Sequence, residues 1–140
     1  MVPADLEVQN RQIVAEVTSA VGDRVIAVYR FGSTADGTAT AGSDIDVALL
    51  ARTPLAADFR FALQERLAVA LRTDIDLVDL AGASPVMAAQ VIGHGELIYE
   101  ADSMARGEFE DRVLGAYARL NEERRDILER VAREGTVYGR

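Results

Sequence analysis

Cysteine and lysine are both missing from these 140 residues, and histidine appears once, as His94. Without cysteine there is no disulfide and no thiolate metal site, so a reducing compartment, the cytoplasm, is the expected home. A single imidazole excludes zinc sites built on two or three histidines. Without lysine there is no amine nucleophile and no phosphate-loop lysine, so the P-loop reading fails. The 15 basic residues are all arginine, a pattern that mutational bias in a GC-rich genome explains. The opening MVPADLE does not read as a signal peptide, and no apolar run reaches the length of a membrane span.

What is present is an ordinary globular composition, 49% hydrophobic and 27% charged. The length suits a single domain over residues 1–140, with one core. The formal net charge is −8, from 15 basic and 23 acidic residues. Such a chain does not bind nucleic acid by broad phosphate neutralisation. It can still bind a nucleotide if metal ions supply the positive charge.

The apolar residues Leu6, Ile13, Val14, Val17 and Val21 have helical spacing, and Gly22 ends the helix. VIAVYRF, Val25 to Phe31, reads as a strand. The small polar stretch from Gly32 to Ser43 reads as a loop. Asp44 to Ala51 reads as a second strand, with Asp44, Asp46, Ala48 and Leu50 on one side and Ile45, Val47 and Leu49 on the other. Thr53-Pro54 opens a helix with Pro54 in its first turn; Leu55, Phe59, Leu63, Leu67 and Leu71 form its stripe. Asp74 to Leu80 is a third strand. Ser84-Pro85 starts a helix to about Ile92, closed by Gly93-His94-Gly95, and Leu97 to Tyr99 reads as a short edge strand. A long helix follows from about 103 to 133. It is expected to turn Phe109, Val113, Tyr117, Leu120, Ile127 and Val131 onto its own domain. The fold class is α/β (α+β), a small mixed β-sheet flanked by helices.

The stretch that carries chemistry is Gly32-Ser33, ten residues, then Asp44-x-Asp46. Two carboxylates at i and i+2 of a strand leave the same face, with Cα atoms about 6.5–7 Å apart. Crowded without a cation, they repel and one pKa rises; together they suit Mg²⁺, which takes oxygen ligands. Asp76, flanked by Ile75 and Leu77, is the third acid if its strand lies beside the second. Three such carboxylates make a two-metal site for nucleotidyl transfer. Asp74, at the strand entrance, reads as solvated, and Asp79 as a strand-end or turn residue on the opposite face. Gly32 lets the backbone approach a phosphate, and the following N–H groups with the Ser33 hydroxyl are the anion half of the site. The four fixed positions match by chance at roughly 2 × 10⁻⁵ per start, so the joint pattern outweighs the turn or cap each fragment suggests alone.

FGSTADGTATAGSDIDVALL resembles the signature of the DNA polymerase β-like nucleotidyltransferases, a GS pair, ten residues, then DxD. The short length and IDLVDL are similar to the minimal nucleotidyltransferases, and among them to the MntA-type antitoxins of HEPN/MNT toxin–antitoxin systems. The motif-bearing resemblance runs from about Val25 to Leu80, and more weakly through GHGELIYEAD. It implies a polymerase β-like fold, with Gly32 and Ser33 on the nucleotide phosphates. Asp44, Asp46 and Asp76 would be catalytic and hold two Mg²⁺ ions. It implies transfer of AMP from ATP to a tyrosine of a HEPN-domain, HepT-like RNase toxin, in a hetero-oligomer with that toxin and away from any membrane. Many relatives carry an arginine two or three residues beyond the GS pair; Ala35 and Asp36 stand there in this chain. Two alternatives remain: an antitoxin that neutralises by binding alone, and a nucleotidyltransferase acting on a small-molecule or nucleic-acid hydroxyl.

Other residues read as structural. His94 belongs to a helix end or the surface. Tyr29, Tyr99 and Tyr117 lie on apolar patterns, Tyr138 lies in the tail, and EERR, Glu122 to Arg125, is a solvated helix face.

Overall fold

A computed structural model describes residues 4–32 and 44–134. Ser33, Ala35, Asp36, Tyr138 and nearly all of the expected Gly32–Ser43 loop lie outside the described residues. The elements are α1 (Ala4–Val21), β1 (Val25–Phe31), β2 (Ile45–Ala51), α2 (Ala57–Leu71), β3 (Ile75–Asp79), α3 (Pro85–His94), β4 (Glu96–Glu100) and α4 (Ser103–Glu134). Single 3₁₀ turns at Gly22–Arg24 and Leu80–Gly82 link α1 to β1 and β3 to α3.

The four strands form one mixed sheet in the order β3-β2-β1-β4. β1 runs antiparallel to β2 and to β4, while β2 and β3 are parallel. The LIY segment is thus the core of a real edge strand. Strand alternation divides the sheet into two faces. On one, Val28, Val47, Leu49 and Leu77 meet Ile13 and Val17 of α1 and Leu63 and Leu67 of α2. On the other, Ile26, Ala27, Tyr29, Ala48 and Leu50 meet Ala88 and Val91 of α3 and Phe109 and Val113 of α4.

Helix starts follow capping chemistry in one case and not in another. Ser84 caps α3, its Oγ accepting from Met87 N at 3.2 Å, with Pro85 in the first turn. Pro54 does not start α2. The helix begins at Ala57, and Ala56 is its N-cap without a side-chain bond. The chain instead bends at Arg52 and Thr53 and stays non-helical through Leu55, whose N–H donates to Asp79 Oδ2 at 2.8 Å. That bond requires the approach to α2 to run back along the end of β3.

The last helix departs most from the sequence-based expectation. Phe109 and Val113 are buried as predicted, and Tyr117 and Val131 are half-covered. Leu120 and Ile127 were expected to face inward, but they are 39% and 54% exposed. The reason is length. At about 1.5 Å per residue, the 32 residues of α4 outrun a sheet of five- to seven-residue strands.

Candidate active site

Asp46 is the fixed point of the site. The parallel register sets Asp46 directly opposite Asp76, on strands about 4.8 Å apart, so both carboxylates leave the same face. Asp44 lies two residues before Asp46 and therefore on that face too. The pairing is anchored at this end by Ile45 N donating to Asp74 O at 3.0 Å. The sheet thus brings together the three acids that the sequence singled out.

Gly32 completes the geometry from the neighbouring strand. Phe31 pairs with Asp46 across the β1–β2 ladder, and Gly32 follows with φ +79°, a conformation that glycine adopts without strain. A Cβ built there lies 2.3 Å from Asp46 Oδ2 and 3.2 Å from its Cγ. Any side chain at 32 collides with the carboxylate. The glycine is needed both for the turn and for the space over Asp46.

The electrostatics follow from this crowding. Partial burial pushes the Asp46 carboxyl above its ordinary value, and the charges of Asp76 and Asp44 push it further. Asp44 and Asp76 are both exposed, so the cluster opens to solvent. It is an acidic half-site. Two negative neighbours raise the cost of ionising Asp46, and a hard cation relieves that cost while taking carboxylate oxygens as ligands. Among the described residues no group of three or more His, Cys, Asp or Glu side chains is arranged to hold a metal ion by itself.

The supporting residues include one that sequence reasoning passed over. Arg30 is only 3% exposed. It donates to Asn10 Oδ1 and to Gln9 Oε1 of α1, each at 2.9 Å. Burial lowers its pKa, and the Glu96 carboxylate opposes that shift. It fastens the end of β1, two residues before Gly32, to the first helix. The signal was a charge inside the apolar run VIAVYRF. Asp79 lies off the acidic cluster at the far end of β3 and takes Leu55 N and, at 3.2 Å, Ala81 N, the strand-end role expected of it. Tyr29 is buried and donates to Glu110 Oε2 at 2.6 Å. His94 is the last, exposed residue of α3, and Glu122 to Arg125 are all exposed.

Comparison with known proteins gives a consistent set of relatives. Residues 13–104 match the family described as polymerase beta, nucleotidyltransferase. Over 107 residues, 74% of each chain, the sequence is 37% identical to the protein adenylyltransferase MntA of Shewanella oneidensis. A solved structure of a toxin–antitoxin with AMP-PNP matches with a TM-score of 0.77 and 32% identity, covering 88% of this chain and 98% of that one. A structure of the tri-AMPylated Shewanella oneidensis HEPN toxin in complex with MNT antitoxin matches with a TM-score of 0.73 and 30% identity, covering 89% and 97%.

Proposed function

Because this chain belongs to the polymerase β nucleotidyltransferases, we propose that it transfers AMP from ATP to a tyrosine hydroxyl of a HEPN-family RNase toxin and so acts as the antitoxin. The observation that carries the reading is the register of Asp46 opposite Asp76, with Asp44 on the same face and Gly32 leaving the space above them empty of side chain. The adenylyltransferase relative and the AMPylated toxin complex supply the class of acceptor.

In this reading Asp44, Asp46 and Asp76 would hold two Mg²⁺ ions, which would supply positive charge to the triphosphate and to the leaving oxygen. The chain's own residues do the rest. The acceptor oxygen bonds to the α-phosphorus, the bond from that phosphorus to the β-bridging oxygen breaks, and pyrophosphate leaves. Asp76, exposed at the cleft, accepts the hydroxyl proton. Gly32 lets the backbone approach the phosphates, and Ser33 adds its hydroxyl. A chain with no cysteine and a need for ATP is consistent with work in the cytoplasm. Among the described residues no helix is long and apolar enough to cross a membrane.

Intact-mass spectrometry tests the reading. Purified protein, ATP and Mg²⁺ should add about 329 Da per AMP to the toxin, the mass set by the transfer itself. EDTA or Asp44→Ala should abolish the gain. A toxin silenced without a mass change, and silenced equally by Asp44→Ala, means neutralisation by binding and defeats the enzymatic reading. AMP found only on nucleic acid or a small molecule defeats the antitoxin reading.

A further inference from the structure

β3 is an edge strand whose outer edge is covered. Among the described residues β2 is its one strand neighbour. In a parallel ladder alternate residues turn their peptide groups toward the neighbouring strand. Asp74 does so, since its carbonyl accepts from Ile45 N at 3.0 Å, and Asp76, two residues on, follows. Leu77 therefore turns its N–H and C=O outward, away from β2. Two side chains of α2 meet them there. Gln64 Oε1 accepts from Leu77 N at 2.9 Å, and Arg60 Nη1 donates to Leu77 O at 3.0 Å. The same Nη1 donates to Gln64 Oε1 at 3.3 Å, which closes the three groups into a ring. Arg60 and Gln64 stand at i and i+4 of α2 and so share one face of the helix.

The bond to Leu77 N bears directly on Asp76. The peptide unit that carries this N–H also carries the Asp76 carbonyl, and its plane is set by ψ of Asp76. Holding that plane from the outer edge fixes the direction in which the Asp76 side chain leaves the strand. Asp76 has less to hold it than Asp46. Its side chain is exposed, so packing does not orient it, while its neighbours Ile75 and Leu77 are buried in the core on the other face. Asp46 lies on an inner strand, between Phe31 on one side and Asp76 on the other.

We infer that Gln64, seated by Arg60, is a positioning residue for the third acid. By holding the peptide that follows Asp76, it keeps that carboxylate beside Asp46, where a cation would be held. The inference rests on the reading of Asp76 as part of the nucleotidyl-transfer site. Ligating groups work only when held to within about 0.5 Å of the productive geometry. An edge strand bonded on one side alone is freer to exceed that than an inner strand, and the Gln64–Arg60 clamp supplies the missing side. The rival role for the clamp is protective: it would keep foreign strands off the β3 edge and do nothing for Asp76.

The test compares, in the full chain, Gln64→Met, which keeps the length and loses the acceptor, with Gln64→Glu, which keeps both beside the Arg60 guanidinium. Amide hydrogen exchange is measured first, in EDTA. In Gln64→Met it should speed up about tenfold or more at Leu77 and also at Asp76, and Gln64→Glu should restore both. The Kd for Mn²⁺, which takes the same oxygen ligands as Mg²⁺, should rise about tenfold in Gln64→Met, as when a group behind a metal ligand is lost. In an Asp76→Ala background Gln64→Met should change that Kd no further. With Mg²⁺ and ATP, kcat for transfer to the HEPN toxin should fall while KM for the toxin holds. If Gln64→Met does not fold, Arg60→Met takes its place. The lost positive charge alone would tighten Mn²⁺ binding there, so a higher Kd still reports the clamp, and an equal or lower one overturns it. Faster exchange confined to Leu77, or a Kd and kcat equal to the parent's, overturns the inference and leaves Gln64 as cover for the edge. A rise in Kd that persists in Asp76→Ala overturns it too. If Asp76→Ala by itself leaves Mn²⁺ binding unaltered, the metal reading of Asp76 fails and the inference with it. If Asp76→Ala weakens binding and Gln64→Met does not, the inference alone fails. A Kd that depends on Gln64 through Asp76, with no AMP added to the toxin, upholds the clamp and defeats the enzymatic reading.

Discussion

Asp46 is where the cost of the site is concentrated. Its carboxyl ordinarily titrates at 3.8, and in the fold burial, Asp76 and Asp44 all raise it. A raised native value means the folded chain holds the proton more tightly than the unfolded chain. At pH below the ordinary value both states are protonated and nothing is lost. As pH rises through the native value the group ionises against its neighbours, and the full penalty stands at neutral pH. Asp46→Asn removes that penalty along with a carboxylate oxygen proposed to hold the cation. In EDTA at pH 7 the variant should be more stable than the parent by about 0.5–1 kcal/mol, a small figure because solvent reaches the cluster and screens it. The difference should close as the pH falls toward the ordinary value. Thermal melts across that window check it, and a gap that widens in acid instead would show that crowding is not the cause.

At the scale of elements, the β2–α2–β3 unit holds two of the three acids in register, and Asp79 fastens its far end. The carboxylate takes Leu55 N at 2.8 Å and Ala81 N at 3.2 Å. It thereby joins the approach to α2 to the turn after β3. Asp79→Ala leaves Leu55 N without its acceptor and should cost about 1–3 kcal/mol. Urea denaturation should show the loss, while kcat of the folded fraction holds, because Asp79 lies at the opposite end of the strand from Asp76. A variant that folds as well as the parent but transfers poorly would reassign Asp79 to the site.

This scale also shows what the sequence made legible. Alternation in DIDVALL places Asp44 and Asp46 on one face and Ile45, Val47 and Leu49 on the other, and the structure has that division. The position of Asp76 was conditional, since periodicity within one strand says nothing about which strand lies beside it. The β2–β3 register resolves that condition. Pro54 misled because proline suits a first helical turn and an extended approach alike. The bond from Leu55 to Asp79, distant in sequence, decided between them. On α4, spacing identified the stripe correctly but carries no information on whether the surface opposite belongs to the same chain, so Leu120 and Ile127 were wrongly turned inward.

For the molecule as a whole, charge and ligand are opposed until a cation intervenes. The chain carries a formal net charge of −8, and three of its carboxylates gather on one face. A bare triphosphate approaching that face meets repulsion at every distance inside the Debye length. The unfolded chain has no register between β2 and β3 and hence no such site, so any ligand that needs the site stabilises only the folded form. At 100 times its Kd, Mg–ATP should add about 2.7 kcal/mol, a rise in melting temperature on the order of 10 °C for a chain of this size. ATP in EDTA should add almost nothing. In Asp44→Ala the Mg–ATP rise should shrink strongly, since that change removes a proposed cation ligand. Differential scanning fluorimetry under these three conditions decides the matter. An equal rise with ATP in EDTA would mean that the nucleotide binds without the acidic cluster, and the chemistry assigned to Asp44, Asp46 and Asp76 would have to be sought elsewhere in the fold.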